Sequence, residues 1–185
     1  SLEGVRVGIF ANTQGYDPRR DKELERTLDL LERPGATLIP DLRIEAYDGY
    51  RSDSYDVLLW EFRRDLNAYL AALPNTLNGM TLAKLIAFNE AHADTELQHF
   101  DQSIFLKAQA IEDTEEEYQR KRASTQEAMH EDGLDKLFEE NGLDVLIGIT
   151  EGPAWKIDWV NGDAFFGPGM AGQAAVAGNP HITLP

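Results

Sequence analysis

Residues 142–185 read GLDVLIGITEGPAWKIDWVNGDAFFGPGMAGQAAVAGNPHITLP, and this stretch decides the fold. Val145-Leu146-Ile147-Gly148-Ile149 has the short, continuous apolar pattern of a buried strand. It leads into a Gly-Pro-Ala-Trp turn at 152–155 and an Asn-Gly-Asp turn at 161–163. A Gly-rich loop, a small-residue segment and a closing apolar run, Ile182-Thr183-Leu184, follow; the closing run is expected as a terminal strand. A loop at the end of a central strand commonly forms part of a pocket wall. Asn141-Gly142 just upstream is a helix stop, so the strand begins directly after a helix.

Working outward, Val5-Arg6-Val7-Gly8-Ile9-Phe10 is a second buried strand, ending in the polar run 12–15. Asp17-Pro18 opens a helix with Leu24, Leu28 and Leu31 at helical spacing, closed by Pro34-Gly35. Two extended pieces, 37–39 and 42–44, flank Pro40, so the segment reads as a parallel strand–helix–strand crossover. A helix over 53–73 carries Val57, Leu58, Phe62, Leu66, Tyr69 and Leu73 on one face, and residues 74–79 break it. Thr81 caps a helix over 82–92 whose core side is Leu85, Ile86 and Asn89 or Phe88. Further helices are expected over 102–111 and 113–141, the second interrupted near Asp132-Gly133. The expectation is one α/β domain over 1–185, a mixed sheet with flanking helices. Residues 53–141 form a mostly helical cap, and 142–185 supply substrate-side loops and strands.

The chain has 185 residues, 42% hydrophobic and 27% charged, ordinary for one sizeable globular domain. It has no cysteine, which excludes disulfides, thiol catalysis and cysteine-bound metals. The net charge of −16 argues against nucleic acid, whose binding needs clustered cations on phosphates. Arg120-Lys121-Arg122 follows Glu115-Glu116-Glu117, and Glu116 with Arg120 and Glu117 with Lys121 are i,i+4 pairs expected to neutralise each other. No run approaches the roughly 20 apolar residues of a membrane span, so no membrane partner is expected. The sequence leaves the compartment open, cytoplasmic or exported.

Four residues stand out as substrate-binding candidates: Trp155, with its flat apolar surface, and Asp158, Asn161 and Asp163, whose polar groups could orient an amide. Trp159 offers a second such surface. Both tryptophans could equally pack into a core, with Asn161-Gly162 a tight turn. Asp158, between Ile157 and Trp159, is the acidic residue whose context would raise its pKa. Glycines 162, 167, 169 and 172 allow close backbone approach in the 165–178 loop. No Gly-Lys-Ser/Thr follows them, so the loop is not a phosphate cradle. His92, Glu96 and His99 have the i, i+4, i+7 spacing of one helix face, adequate for a divalent metal, but a solvated face explains the same spacing. His130 and His181 have no evident partner. Serines stand at 1, 52, 54, 103 and 124, none in a Gly-rich turn that would expose its hydroxyl. The expectation is therefore no catalytic residue, no metal and no cofactor in this chain.

Several stretches together carry a family resemblance. They are Asp144-Val145-Leu146-Ile147, Thr150, Gly152-Pro153-Ala154-Trp155, Ile157-Asp158, Asn161-Gly162-Asp163, Ala174-Ala175-Val176-Ala177-Gly178, Pro180 and Ile182-Thr183. Upstream, Trp60-Glu61-Phe62, Asp65-Leu66-Asn67-Ala68-Tyr69-Leu70 and Phe88-Asn89-Glu90-Ala91-His92-Ala93-Asp94 with Glu96-Leu97 agree, as does the opening Val5-Arg6-Val7-Gly8. This set resembles the C-terminal region of amidase-signature enzymes, over nearly the whole chain.

The resemblance implies hydrolysis of a carboxylic amide C–N bond by a serine, a second serine and a lysine located in the N-terminal half. The chain then reads as a C-terminal fragment, inactive alone. Its partners would be the missing N-terminal half and, in the complete enzyme, a small-molecule amide, with self-association through exposed apolar surface. The sequence departs from the family at Ala171-Gly172-Gln173, where relatives usually carry Ser-Ser-Pro. It departs also at Ile149, where proline is common, and at Asn179, where an aromatic is common. An autonomous, non-catalytic α/β domain binding a small ligand or partner through 8–15 or the Trp155 region is the alternative. A metal-dependent hydrolase using His92 and His99 is the third reading.

Overall fold

A computed structural model describes residues 1–45, 50–74 and 79–184. The break expected over 74–79 thus lies largely outside the described residues, as does Pro185. The chain divides into two compact units, 1–50 with 125–185, and 51–124.

The first unit is built on a three-stranded, all-parallel sheet rather than a mixed one. Its central strand β1 (Arg6–Phe10) buries Val7, Ile9 and Phe10, so both faces are covered, as its unbroken apolar pattern requires. A 3₁₀ turn over Ala11–Thr13 leads to α1 (Pro18–Glu32). Asp17 caps α1 by accepting the Arg19 N–H at 2.9 Å, and Pro18 opens it where a missing N–H costs nothing. Of the three leucines expected on its inner face, only Leu24 is fully buried. Gly35, at φ +104°, turns the chain into β2 (Thr37–Leu42), which joins the two extended pieces seen in the sequence. β2 pairs in parallel with β1, Gly8 opposite Ile39 but Phe10 opposite Leu42. The extra residue is a bulge at Pro40-Asp41, where proline has no ladder N–H to lose and Asp41 adopts φ 58°.

Downstream, α6 (Glu115–Met129) runs into a π-type turn, His130–Asp135, and then α7 (Lys136–Asn141). The interruption falls where Gly133 was expected to weaken the helix. A Cβ on Gly133 would stand 2.8 Å from the Ala128 carbonyl oxygen. Gly142, left-handed at φ 56°, ends α7, and Leu143 N–H returns to Phe138 O at 3.0 Å. β3 (Val145–Ile147) follows and pairs in parallel with the other side of β1. The core comprises Phe10, Leu42, Ile44, Met129, Leu134, Leu137, Met170 and Ala177.

Two expectations for the last segment are corrected. Ala171–Ala177 is a helix, α8, not part of a loop: its small residues are mostly good helix formers, and Gly178 at φ +79° stops it. Ile182-Thr183-Leu184 is not a strand, since nothing among the described residues offers it a ladder.

The second unit is helical: α2 (Arg51–Ala71), α3 (Leu82–Ala91), the single turn α4 (Ala93–Glu96), α5 (Ser103–Ala110) and the first part of α6. Leu59, Leu82, Ile86 and Ala108 form its core, with Leu66, Phe105 and Ile111 against them. The buried stripe of α2 therefore runs through Leu59, Leu66 and Leu70, rotated from the expected face, and leaves Leu58 and Tyr69 exposed. On α3 the buried residues are Leu82 and Ile86, while Phe88 is exposed. Thr81 caps α3 as expected, accepting Lys84 N–H at 3.3 Å.

Lys121 departs from its expected pairing with Glu117. It reaches Asp113 at 2.6 Å and Asp56, while Glu117 accepts the backbone and hydroxyl of Thr114 in a reciprocal capping box. No described helix is long and apolar enough to cross a membrane.

Candidate functional site

The end of β3 is held by contacts that only glycine permits. A Cβ on Gly148 would lie 2.9 Å from the Met170 sulfur and 3.1 Å from Phe10 Cβ. A Cβ on Gly169 would lie 2.1 Å from the Thr150 carbonyl oxygen. The close approach expected of this glycine-rich segment is thus made by the chain's own residues 150–151. Met170 N–H donates to Ile149 O at 3.0 Å and Ala171 N–H to Thr150 O at 3.4 Å, which clamps the start of α8 onto the strand end.

Gln173, only 2% exposed, completes the clamp. With its amide oriented to satisfy both ends, Nε2–H donates to Met170 O at 3.0 Å and Gly169 O at 3.2 Å. The amide oxygen then faces the Tyr50 hydroxyl at 3.4 Å. A proline at this position could make none of these side-chain bonds.

Beside β3 lies a cavity of about 470 Å3. Its wall includes Phe138, Val145, Ile147, Thr150, His181 and Ile182, mostly apolar with a hydroxyl and an imidazole. No single stretch of sequence signals this cavity, because its wall comes from segments separated along the chain.

None of Trp155, Asp158, Asn161 and Asp163 lines that cavity. All four lie in the loop over 151–169, where they bond in two pairs, Trp155 with Asp163 and Asn161 with Asp158. Trp155 Nε1–H donates to Asp163 Oδ1 at 3.1 Å, and the indole tilts against Phe165 with ring centres 4.6 Å apart. Asp158 closes a turn: Oδ1 accepts the N–H groups of Val160 and Asn161, both at 2.9 Å, and Oδ2 accepts Asn161 Nδ2–H at 2.8 Å. The Asn161 backbone N–H is the largest cause holding the Asp158 carboxyl below its ordinary pKa. The raised pKa expected from its apolar sequence neighbours is therefore corrected: bonded donors, not neighbours in sequence, set its charge. Arg20 ties the far end of the loop, donating to Phe166 O and, at 2.8 Å, to Pro168 O. Ile157, Trp159, Val160, Phe165 and Phe166 are left exposed.

The histidine face also changes. The helix breaks at His92, with φ −120° and ψ 32°, so His92, Glu96 and His99 do not share one continuous helix. His92 stacks on Phe88 with ring centres 4.2 Å apart. Among the described residues no group of three or more acidic or histidine side chains is placed to hold a metal ion. His130 has the partner its sequence context hid, Asp135, at 2.8 Å. Lys121 is held in the ammonium form, its pKa raised chiefly by the hydrogen bond to Asp113 and next by that to Asp56.

No family model matches the chain. A probable amidase of Arabidopsis thaliana is 28% identical over 189 residues, which cover 100% of this chain and 32% of that protein. The native peptide amidase from Stenotrophomonas maltophilia has a TM-score of 0.80 at 30% identity, over 96% of this chain and 35% of that one. A structure of the peptide amidase in complex with the competitive inhibitor chymostatin gives a TM-score of 0.83 at 29% identity, covering 96% and 36%. An amidase family protein from Bacillus anthracis, 22% identical with a TM-score of 0.69, shares the fold. The chain spans about a third of the length of these proteins. The expected α/β class holds, and in sequence and fold the chain is similar along its length to a C-terminal portion of amidases.

Proposed function

We propose that this chain forms the substrate-side portion of an amide hydrolase acting on a peptide amide, its reacting serines and lysine lying in polypeptide outside these 185 residues. One observation carries the reading: similarity to amidases runs through the whole chain yet accounts for only about a third of them. The substrate class follows from the peptide amidases among its structural relatives. Trp155, Asp158, Asn161 and Asp163, which lie outside the cavity beside β3, form part of the substrate-pocket wall of the complete enzyme. Their mutual hydrogen bonds supply the rigidity that such a wall needs, and the exposed aromatic and aliphatic groups beside them supply its apolar surface.

The purified 185-residue chain is expected to release no ammonia from peptide amides. The polypeptide that includes the upstream coding segment, with a Gly-Ser-rich stretch and an earlier lysine, is expected to release it. In that longer protein Trp155→Ala raises KM more than it lowers kcat. Turnover by the 185-residue chain alone, blocked by a serine-directed reagent, overturns the proposal.

A further inference from the structure

Arg20 stands in the first turn of α1, where a cation opposes the helix dipole, so α1 itself gives no reason for its charge. Its bonding lies elsewhere. Nη1–H donates to Phe166 O and Nη2–H to Pro168 O, 146 and 148 residues along the chain. The buried Nε has no acceptor among the described residues, so the guanidinium's described hydrogen bonds all go to this one loop. Gly167, between the two carbonyls, fits the same contact. It holds φ +72°, and an added Cβ would stand 2.6 Å from Tyr16 Cβ and 2.8 Å from Arg20 Nη1. A lysine could reach one of these carbonyls, whereas the planar fork of arginine reaches both.

The tie reaches the candidate substrate residues in short steps. Phe165, next in sequence to the held Phe166, packs against Trp155 with ring centres 4.6 Å apart. The Trp155 indole N–H then donates to Asp163 Oδ1 at 3.1 Å. The other limb of the loop closes on the same point, since an added Cβ on Gly152 would lie 3.2 Å from Phe166 O. The Phe166 carbonyl thus joins α1 to both limbs. The loop leaves the carboxyl end of β3 and α1 follows that of β1, the side on which open α/β sheets hold ligands.

We infer that Arg20 is a positioning residue for substrate binding: it fastens the 151–169 loop to α1 and so fixes Trp155 and Asp163. This rests on the reading of that loop as part of the substrate-pocket wall. Arg20 touches no substrate in this role. It restricts the groups that do, and such preorganisation strengthens binding. Its loss therefore weakens substrate binding and leaves the chemical step alone.

Two measurements test this. In the 185-residue chain, NMR follows exchange of the indole N–H protons. Arg20→Met, which removes two hydrogen bonds, should speed exchange at Trp155 by about 5–30-fold. The Trp60 indole, bonded to Asp113 O at 3.2 Å in the helical unit, should not change. In the polypeptide extended by its upstream coding segment, KM for a peptide amide should rise at least about threefold, with kcat within about twofold of the parent. That rise should disappear when Trp155 is already alanine, because Arg20 acts through it. Arg20→Lys keeps the charge and one carbonyl, so it should fall between the parent and Arg20→Met in both measurements. It also serves where the methionine variant does not fold.

Unchanged Trp155 exchange overturns the inference and leaves the proposed function standing. Equal acceleration at Trp155 and Trp60 marks general loosening and overturns it too. So does faster Trp155 exchange with KM unmoved, or a KM rise that persists in full beside Trp155→Ala. A longer parent protein that hydrolyses no peptide amide sinks the proposed function and Arg20's part in it, whereas exchange still reports whether the tie exists.

Discussion

Gly169→Ala probes the clamp that fastens α8 to the end of β3. A methyl group there would sit 2.1 Å from the Thr150 carbonyl oxygen and 2.8 Å from Glu151 Cα, both backbone atoms that no rotamer change can move aside. Relief requires residues 150–151 to retreat, which stretches Met170 N–H to Ile149 O and Ala171 N–H to Thr150 O. Overpacking of this kind costs about 1–3 kcal/mol. One weakened backbone hydrogen bond adds about 1 kcal/mol. The loss of glycine's freedom in the unfolded chain returns up to about 1 kcal/mol. The net destabilisation is about 1–3 kcal/mol; with a urea slope of about 2 kcal/mol per molar it lowers the midpoint by roughly 0.5–1.5 M.

Gly172→Ala, a few residues along in α8, is the matched control. Among the described residues its new methyl would meet only the Tyr50 hydroxyl, at 3.4 Å, and alanine favours the helix. Urea unfolding followed by circular dichroism should therefore separate the two variants in sign. A Gly169→Ala midpoint at or above that of the parent chain refutes the clamp.

Lys121→Met keeps the aliphatic stem but leaves Asp56 and Asp113 without their shared counter-ion, at a cost of roughly 1–3 kcal/mol for so partly buried a cluster. Because the Lys121 pKa is raised above 10.5, its contribution is complete below that value and lost only as pH rises through the higher folded value. The gap between parent and variant stability should thus be the same at pH 7 and pH 9; a gap that closes by pH 9 contradicts the pairing. Asp17, whose carboxyl is lowered from 3.8 to about 2 chiefly by the Arg19 side chain and then by the Arg19 N–H, contributes stability that is present above 3.8 and lost as pH falls toward 2. An NMR titration of the Asp17 carboxyl should show a midpoint near 2, and a midpoint near 3.8 would remove the charged cap.

Local chemistry was legible where one short stretch held the whole signal. Asp17-Pro18 marked the start of α1, Thr81 that of α3, and Gly142 the stop before β3, because caps and left-handed stops involve neighbours in sequence. Apolar runs located β1, β2 and β3 for a similar reason, yet could not show that Pro40-Asp41 forms a bulge, a property of pairing with β1. Long-range partners were invisible. Lys121 sits beside glutamates in sequence but bonds to Asp56, 65 residues away. Asp158 has apolar neighbours in sequence but a carboxylate surrounded by N–H donors. The small residues at 171–177 spelled a loop by composition and a helix by propensity, and the clamp from Gln173 to the carbonyls of Gly169 and Met170 sits with the helix.

The π-type turn at His130–Asp135 sets the winding of everything after it. An α-helix advances about 100° per residue, so the residue added by such a turn offsets α7 by that angle from a regular continuation of α6. Leu134 and Leu137 reach the core, and Phe138 the cavity, only with that offset. Deleting one residue from 130–135 would restore regular winding and swing Leu137 and Phe138 away from their places. Apart from Gly133 and Leu134, this stretch is therefore more tolerant of changed side chains than of a changed residue count.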